Sequence, residues 1–233
     1  MSLLEVAPIG TELLDDPRAA APSVRESLRN IARANRWLGG AAALRYALGR
    51  VITGFRDSPV SLLDIGTGTG DLPRMARDWA ARRGVTLVPL GIELSGVAAR
   101  LARESGVETV VGDGGSLPFR DRSVDLILIS QVAHHFSPAA IVRLFREAAR
   151  VARHAVLVSD LRRSRVAAWG FPLAGWALRF DRFTRQDGVT SLRRGFTRPG
   201  LARLLEQAGL PAAVVRRPGF RLVAVAPVPG PGI

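Results

Sequence analysis

The sequence has no cysteine, no lysine and no long apolar run, and each absence excludes a class of protein. Without cysteine, the 233-residue chain can form neither a disulfide framework nor a site built on thiolates. Without lysine, it lacks the Gly-Lys-Ser/Thr sequence of a phosphate-binding P-loop. It has no apolar run of about 18 residues that could cross a membrane, and its N-terminus, MSLLEVAPIGTELLDD, has no basic and then apolar signal pattern. These absences, with 47% hydrophobic residues, predict a globular cytoplasmic protein.

The charge of the chain is strongly positive and uneven. All 33 basic residues are arginine, and the formal net charge is +13. Residues 150–233 hold 15 arginines against 4 acids. This excess reflects either the codon bias of a GC-rich genome or an electropositive face for an anionic partner, such as lipid head groups, an acyl carrier protein or RNA.

The most informative stretch is SLLDIGTGTGD, residues 61–71. Its apolar part predicts a strand that is covered on both faces, as in a parallel sheet. Gly66, Gly68 and Gly70 then follow at every second position, and a helix is predicted to begin near Asp71. Because glycine has no side chain, a ligand can lie against this backbone, close to the free N–H groups of the helix. The stretch therefore predicts a site for a nucleotide-like ligand.

The spacing of the glycines distinguishes between nucleotides. The third glycine of the dinucleotide fingerprint G-x-G-x-x-G would fall at Asp71, where an acid would also repel a pyrophosphate. An NAD oxidoreductase is disfavoured for this reason and because no Tyr-x-x-x-Lys pair is present. The order Asp64-x-Gly66-x-Gly68-x-Gly70 instead resembles motif I of the class I S-adenosylmethionine (SAM) methyltransferases.

From residue 60 onward, strand-like and helix-like segments alternate, which predicts an α/β fold with a doubly wound parallel sheet. Strands are predicted at 60–65, 86–92, 107–111, 124–130, 155–158, 212–216 and 219–225, and helices at 71–83, 95–105, 138–151 and 198–208. The last two strands resemble the antiparallel edge of the Rossmann-like, seven-stranded methyltransferase sheet. Residues 57–233 would form the SAM-binding domain, with a lid-like insertion at 161–196.

Residues 1–56 are predicted to form an arm and two helices, at 23–36 with an N-cap at Ser23 and at 41–52. These helices either cap a substrate pocket or simply pack against the domain, with Trp37 in the core.

In an open parallel sheet, ligands bind beyond the carboxyl ends of the strands. Glu93 ends the second strand and could accept hydrogen bonds from a ribose diol, or be a solvated acid at a helix start. The segment GDGGSLPF resembles the family's GDA-x-x-LPF, so Asp113 would accept from the adenine amino group, or only stabilise a turn. By the same resemblance, Asp64 would hold the amino acid tail and Asp71 would cover its ammonium group. The residues that the resemblance implies for SAM are Asp64, Gly66, Thr67, Gly68, Gly70, Asp71, Glu93, Leu94, Asp113, Gly114 and Ser130.

Two of the three histidines, His134 and His135, stand side by side after the fourth strand, where an acceptor would meet the methyl group. A hydroxyl must lose its proton as it attacks, and a neutral imidazole can take it. We expect His135 or His134 to act as this base while the other packs, unless both are structural. Asp160 could bind substrate, orient a histidine, or pair with Arg162 and Arg163.

The remaining histidine, His154, is expected to be structural. No metal site is predicted, because the acidic cluster of metal-dependent catechol methyltransferases is not visible.

The insertion at 161–196 is unusually aromatic for a chain with 6% aromatic residues. It could form a lid over an apolar substrate, a surface helix that meets lipid with Arg179, Arg182 and Arg185 beside head groups, or an ordinary buried helix. Its apolar residues include Trp169, Phe171, Pro172, Leu173, Trp176, Leu178, Phe180 and Phe183.

The segments DIGTGTGD, GIELS, GDGGSLPF and SQVAHHF together resemble methyltransferases of the ubiquinone and menaquinone type. More narrowly, NRWLGG, SDLRRSR and TRQDGVTSLRRGFT resemble bacterial methyltransferases found beside type III polyketide synthases, which implies a role in secondary metabolism. The resemblance implies O-methylation of a phenolic hydroxyl on a small apolar aromatic or polyketide acceptor. C-methylation of a quinone precursor and a noncatalytic SAM-fold partner subunit remain alternatives. A nucleic acid substrate is disfavoured, because the Asn/Asp-Pro-Pro-aromatic motif is absent.

Overall fold

The computed structural model of the protein describes residues 5, 10, 12–16, 19–55 and 58–228. Seven strands form one sheet in the order β3-β2-β1-β4-β5-β7-β6, and β7 runs antiparallel to the other six. The strands are β1 (Val60–Ile65), β2 (Leu87–Glu93), β3 (Glu108–Val111), β4 (Val124–Ser130), β5 (Ala152–Leu161), β6 (Val214–Arg217) and β7 (Arg221–Pro227). The predicted Rossmann-like sheet of seven strands is confirmed.

Helices cover both faces of the sheet and its carboxyl edge. They are α1 (Ala21–Trp37), α2 (Gly40–Gly49), α3 (Asp71–Ala81), α4 (Gly96–Glu104), α5 (Pro138–Val151), α6 (Arg165–Ala177), α7 (Arg182–Arg194) and α8 (Arg198–Gln207). Single 3₁₀ turns lie at Leu13–Asp15, Ile52–Gly54 and Ala133–His135. The aromatic insertion thus folds as the α6–α7 pair. Over the described ranges, no helix combines the length and the apolar character needed to cross a bilayer.

The core lies on both sides of β4, which is buried at every residue. On one face, Leu144 and Phe145 of α5 pack with α8, and on the other, Leu44 of α2 packs with Trp79 of α3. Burying a side chain such as that of Phe145 stabilises the fold by about 1.5–3 kcal/mol. Because both faces are covered, β4 is mostly apolar rather than alternating.

The N-terminal helices differ from the prediction. The N-cap of α1 is Ala20, not Ser23, and it makes no side-chain cap bond. Pro22 lies in the first turn, where its fixed φ is already helical and its missing N–H would have no partner in any case. Trp37 is 66% exposed, so the alternative that placed it in the core is wrong. The core contacts of α1 come instead from Val24 and Leu28, which pack against α4.

Strand β5 is longer than the predicted 155–158. It pairs with β7 from Ala155 to Leu161, and this partner lies far away in the sequence. The extension places Asp160 inside the sheet, where its side chain is fully buried.

The chain before β1 closes over the carboxyl edge of the sheet. In α1, Asn30 Nδ2 donates to Asp181 Oδ2 at 2.6 Å and to Thr184 Oγ1 at 3.1 Å, which ties α1 to α7. These contacts bring α1, α7 and the glycine loop to one end of the molecule. The boundary predicted at residue 57 stays a prediction.

Candidate active site

The glycine loop after β1 is shaped by both backbone conformation and close packing. Gly66 has φ +71°, and a Cβ on it would lie 2.5 Å from Val132 Cγ2. Gly68 has φ +57°, and the nearest atom that a Cβ there would meet is Leu28 Cδ2, at 3.4 Å. The side chain of Val132 therefore occupies the space beside Gly66, whereas the space beside Gly68 is less crowded.

Three carboxylates, those of Asp64, Asp71 and Glu93, surround this loop, and we call them the glycine-loop cluster. Glu93 accepts hydrogen bonds from the backbone N–H of Gly68 at 3.0 Å and of Ser95 at 3.2 Å. Asp64 is 2% exposed, and its Oδ1 has no hydrogen-bond partner among the described residues. Burial raises the pKa of all three carboxyls, and the charge of Asp71 raises the pKa of Asp64 further.

The glycine-loop cluster fits a cationic ligand. Within the part of the chain that the structure describes, none of its three carboxylates forms a salt bridge. A pyrophosphate would add negative charge to a site that already holds three buried carboxyl groups, and burying like charges together is costly. SAM carries an ammonium and a sulfonium group, so the residues present fit SAM.

Asn35 connects α1 to this cluster and is a contact that the sequence analysis missed. Its Nδ2 donates to Asp71 Oδ2 at 3.0 Å, and its Oδ1 accepts from Gln131 Nε2. Gln131 directly follows β4 and has φ +58°, an uncommon value for a residue other than glycine. The only signal in the sequence was a polar residue near the end of an amphipathic helix.

The other residues predicted for the cofactor lie at the same edge but differ in exposure. Asp113 Oδ1 accepts from the backbone N–H of Gly115 at 2.7 Å, which is the turn contact considered as its alternative role. Thr67 and Ser130 are buried, and Leu94 is 54% exposed. A Cβ on Gly114 would lie 2.8 Å from Ile65 Cγ2, so packing explains this glycine.

The two adjacent histidines lie side by side in the turn after β4. Their ring centroids are 4.4 Å apart. His134 is 3% exposed, its Nδ1 lies 2.7 Å from Asp160 Oδ1, and its Nε2 has no hydrogen-bond partner among the described residues. Of the three roles considered for Asp160, the orientation of a histidine is the one seen. The rings lie against each other, and each is bound by a carboxylate from a different element.

His135 is held by the N-terminal arm. Its Nδ1 lies 2.8 Å from Asp15 Oδ1, and its Nε2 lies 3.8 Å from Glu12 Oε2. Burial acts to lower the pKa of His135, but the bond to Asp15 and the charges of Glu12 and Asp15 outweigh it, so this pKa is raised. Burial acts to raise the pKa of Asp15, and His135 with Arg194 outweighs it, so this pKa falls to about 2. His135 is therefore stabilised in its protonated form.

Helix α7 completes this arrangement. Arg194 Nη1 lies 3.2 Å from Glu12 Oε1 and 2.9 Å from Asp15 Oδ2, and its side chain is 1% exposed. Ser191 Oγ donates to Glu12 Oε2 at 2.9 Å. Together these groups form what we call the histidine cluster. Its members are Glu12, Asp15, His134, His135, Asp160, Ser191 and Arg194.

Four members of the histidine cluster, namely Glu12, Asp15, Ser191 and Arg194, were missed by the sequence analysis. Ser191 and Arg194 belong to TRQDGVTSLRRGFT, a segment whose resemblance was noted without a chemical reason. The signal in the arm was a run of acids in a basic chain.

Two further basic residues, Arg221 and His154, lie outside this cluster. Arg221 of β7 is 3% exposed; burial lowers its pKa to about 10, and the charge of Asp160 acts in the opposite direction. His154 is exposed near the start of β5, 3.8 Å from Asp125 and away from the histidine pair.

The cluster also contains three groups that could ligate a metal ion. Glu12, His134 and His135 offer ligand atoms that all lie within 4.8 Å of one another. Arg194 already supplies a positive charge to Glu12. The absence of a metal therefore stays a prediction.

Comparison with protein families matches residues 63–158 to the model described as methyltransferase domain. Among curated relatives, the demethylmenaquinone methyltransferase of Thermotoga maritima is 33% identical over 94 residues, covering 40% of this chain and 39% of the relative. That of Thermus thermophilus is 31% identical over 127 residues, covering 53% of this chain and 58% of the relative. The probable tRNA methyltransferase 9B of Mus musculus is 37% identical over 95 residues, covering 40% of this chain and 20% of the relative. The matches thus span less than two thirds of each relative.

Solved structures share the fold at low identity. A SAM-dependent methyltransferase from Aquifex aeolicus has a TM-score of 0.56 and 18% identity, covering 79% of this chain and 93% of that one. PigF with SAH has a TM-score of 0.63 and 18% identity, covering 93% and 62%. Magnesium protoporphyrin IX methyltransferase from Synechocystis with bound SAM has a TM-score of 0.56 and 11% identity, covering 85% and 84%. Residues 63–158 are therefore similar to the methyltransferase domain, and the chain shares the fold of solved SAM-dependent methyltransferases.

Proposed function

We propose that the protein transfers the methyl group of SAM to a hydroxyl of a small apolar aromatic acceptor, such as a phenolic polyketide product. The observation that carries this proposal is the state of His134. Its Nδ1 is fixed by Asp160, and its buried Nε2 has no hydrogen-bond partner among the described residues. An imidazole held in this way is ready to accept a proton from a hydroxyl.

The cofactor supplies an electrophilic methyl group when it is bound. Asp64 and Asp71 would bind the ammonium group of its amino acid tail, and Glu93 would accept from its ribose. Positioning two reactants in this way can contribute about 7–11 kcal/mol toward the barrier. No covalent intermediate on the protein is required.

With the cofactor bound, the acceptor hydroxyl would lose its proton as its oxygen takes the methyl group that SAM supplies. His134 Nε2 takes this proton, and Asp160 stabilises the resulting imidazolium through Nδ1. His135 suits a different role, since its raised pKa already favours the protonated form. A protonated His135 would stabilise negative charge on the acceptor oxygen. The structure therefore favours His134 over His135 as the base.

The charges of the histidine cluster support an uncharged acceptor. Glu12 and Asp15 are paired with Arg194 and a protonated His135, while Asp160, which holds Nδ1 of the base His134, lies near the charge of Arg221. An acceptor with a net charge would leave one of these buried groups unpaired, which is costly. A phenol enters neutral and leaves as a neutral ether, so it fits this balance.

A second candidate is C-methylation of a quinone precursor. It is favoured by the two demethylmenaquinone methyltransferases among the relatives. An activated aromatic carbon presents a similar apolar ring, and it would use the same base after the new bond forms.

A screen with methyl-labelled SAM tests the proposal. The purified protein is incubated with alkylated phenols, pyrones and quinone precursors, and products are detected by mass spectrometry and assigned by NMR. We expect the label on an oxygen of a phenolic product. Label on a ring carbon would favour the second candidate. Tight SAM binding without transfer to any acceptor class would favour the noncatalytic subunit instead.

A further inference from the structure

Helix α6 carries a continuous apolar stripe on the surface. Its side chains are large and strongly exposed: Val166 at 75%, Trp169 at 87%, Leu173 at 71% and Trp176 at 70%. These positions are three, four and three residues apart, so they lie on one face of the helix. Soluble surfaces rarely expose apolar side chains in such a contiguous row.

The stripe is exposed although α6 is well packed on its other side. Ala167 and Ala168 are buried with Leu161 and Leu192, and Phe171 packs against this group. A Cβ on Gly188 of α7 would lie 2.0 Å from Phe171 Cε1, so the two helices are in close contact. The helix is thus held in place by its inner face, and the tryptophans are left without a partner among the described residues.

The charges between Leu161 and Phe180 are all positive, and Asp181, the first acid that follows, is bound to Asn30 and Thr184. Residues 161–180 contain four arginines and no acid. Arg165 lies at the start of α6, and Arg179 lies just beyond its end; both are exposed. Arg182 of α7 follows, with its guanidinium 4.8 Å from the ring of Phe183, which is 44% exposed. In the described parts of the chain, none of these arginines takes part in a salt bridge.

This combination matches the physical requirements of a lipid surface. Tryptophan is favoured at the boundary between acyl chains and head groups, because its ring is apolar and its indole N–H is polar. Arginines beside an apolar helix face are attracted to anionic head groups. A protein partner would need an apolar surface for the stripe and acids for the arginines. An anionic bilayer supplies both, in its acyl chains and its head groups.

We propose that α6 binds the surface of an anionic lipid bilayer, with Trp169 and Trp176 inserted at the head-group boundary and the arginines at both ends of the helix on the phosphates. The helix lies in the plane of the membrane and does not cross it. This inference is independent of the proposed reaction, because it uses no residue of the glycine-loop or histidine clusters.

Vesicle co-sedimentation with the full chain tests the proposal. The probes are phosphatidylglycerol vesicles and phosphatidylcholine vesicles of the same size. We expect binding to the anionic vesicles that weakens as salt is raised, and at least about tenfold weaker binding to the neutral ones. Equal binding to both, or to neither, would overturn the proposal.

Variants locate the contact. The double variant Trp169→Gln/Trp176→Gln should weaken binding to anionic vesicles at least about tenfold, because two inserted rings are lost. The matched control is Trp37→Gln, a tryptophan that is 66% exposed at the end of α1, and it should bind like the wild type. Because all three tryptophans are exposed, the thermal midpoint should stay the same. An equal loss in the control would overturn the assignment to α6.

A second measurement separates lipid from a second copy of the chain. Light scattering without vesicles reports self-association. If the wild type forms a dimer that Trp169→Gln/Trp176→Gln abolishes, and vesicles do not bind, the stripe is a subunit interface and the lipid proposal fails. Quenching of tryptophan fluorescence by brominated phosphatidylglycerol in the wild type, reduced in the double variant, would support it.

Discussion

The two clusters at the carboxyl edge of the sheet differ in how their charges are balanced. In the glycine-loop cluster, Asp64, Asp71 and Glu93 are buried and have no salt bridge in the described ranges, and the pKa of each carboxyl is raised. In the histidine cluster, the carboxylates face imidazoles and a guanidinium, and the pKa of Asp15 and of Asp160 is lowered. The two clusters lie at the same edge of the sheet, but the pKa of the carboxyls is raised in one and lowered in the other.

The difference indicates what each part binds. Carboxyls with raised pKa values gain stability when a cation arrives, because the ligand replaces the missing partner. Carboxylates that already have partners gain nothing from a charged ligand and are better suited to orient a neutral one. The glycine-loop cluster therefore suits a cationic cofactor, and the histidine cluster suits an uncharged acceptor.

The largest expected effect concerns the assignment of proton transfer to the histidine cluster. His134→Gln should lower kcat by about 10²–10⁴-fold, because the imidazole that accepts the proton is lost. Affinity for SAM should stay the same, since His134 does not contact the glycine-loop cluster. Turnover with labelled SAM and calorimetry measure the two effects.

Two further variants sharpen this test. Asp160→Asn should lower kcat and shift the pH profile of kcat, because Asp160 holds Nδ1 of His134. The control His154→Gln removes an exposed histidine and should leave both quantities unchanged. Full turnover in His134→Gln would contradict the assignment of His134 as the base.

A smaller effect is expected at the glycine-loop cluster. Asp64→Asn should weaken SAM binding about tenfold or more, since a carboxylate that would pair with the ammonium group is lost. In the wild type, affinity for SAM should rise with pH, because the raised pKa values keep these carboxyls partly protonated in acid and only the ionised forms attract a cation. Calorimetry over pH 5–8 measures both effects.

The control for this experiment is Asp78→Asn. Asp78 is an exposed residue of α3 that pairs with Arg77 on the surface. The Asp78→Asn variant should bind SAM like the wild type. If Asp64→Asn and Asp78→Asn bind equally well, or if affinity falls as pH rises, the charge argument for the cofactor is wrong.

The two clusters also differ in how well the sequence predicted them. The glycine-loop cluster could be predicted because Asp64, Gly66, Gly68 and Asp71 are close in sequence, and Glu93 ends the next strand. Their spacing alone places them at one turn. Strand β4 and helix α5 were predicted with the observed bounds for the same reason, as each is defined by a local apolar pattern.

The histidine cluster depends on contacts between distant parts of the chain. Asp15 is 120 residues from His135, and Glu12 is 182 residues from Arg194. Nothing local in the sequence marks these residues as partners, because an acid in an arm and an arginine in a helix are ordinary surface residues. The order in which the strands pair, and the closure of α1 and α7 over the edge, bring them together.

The smallest expected effect concerns how firmly the N-terminal arm, which contains Asp15, is held against His135. With a folded-state pKa of about 2 against an ordinary value of 3.8, Asp15 contributes about 2 kcal/mol to stability above pH 4. This contribution is lost as pH falls toward 2, because Asp15 becomes protonated. The pKa of His135 is raised, so its contribution is present below its unfolded value of 6.5 and is lost as pH rises through the raised value. The arm should be held most firmly between these limits.

Limited proteolysis and hydrogen exchange of the arm over this pH range measure its attachment. Asp15→Asn should increase cleavage of the arm and flatten the acid side of the profile, while the exposed Glu26→Gln in α1 should change neither. The variant should also raise the KM for the acceptor more than it lowers kcat, because the arm holds His135 and leaves His134 with Asp160 intact. A profile that does not change in Asp15→Asn would mean that Arg194 and Ser191 hold the arm without Asp15, and that the paired charge beside His135 plays no part in shaping a neutral site.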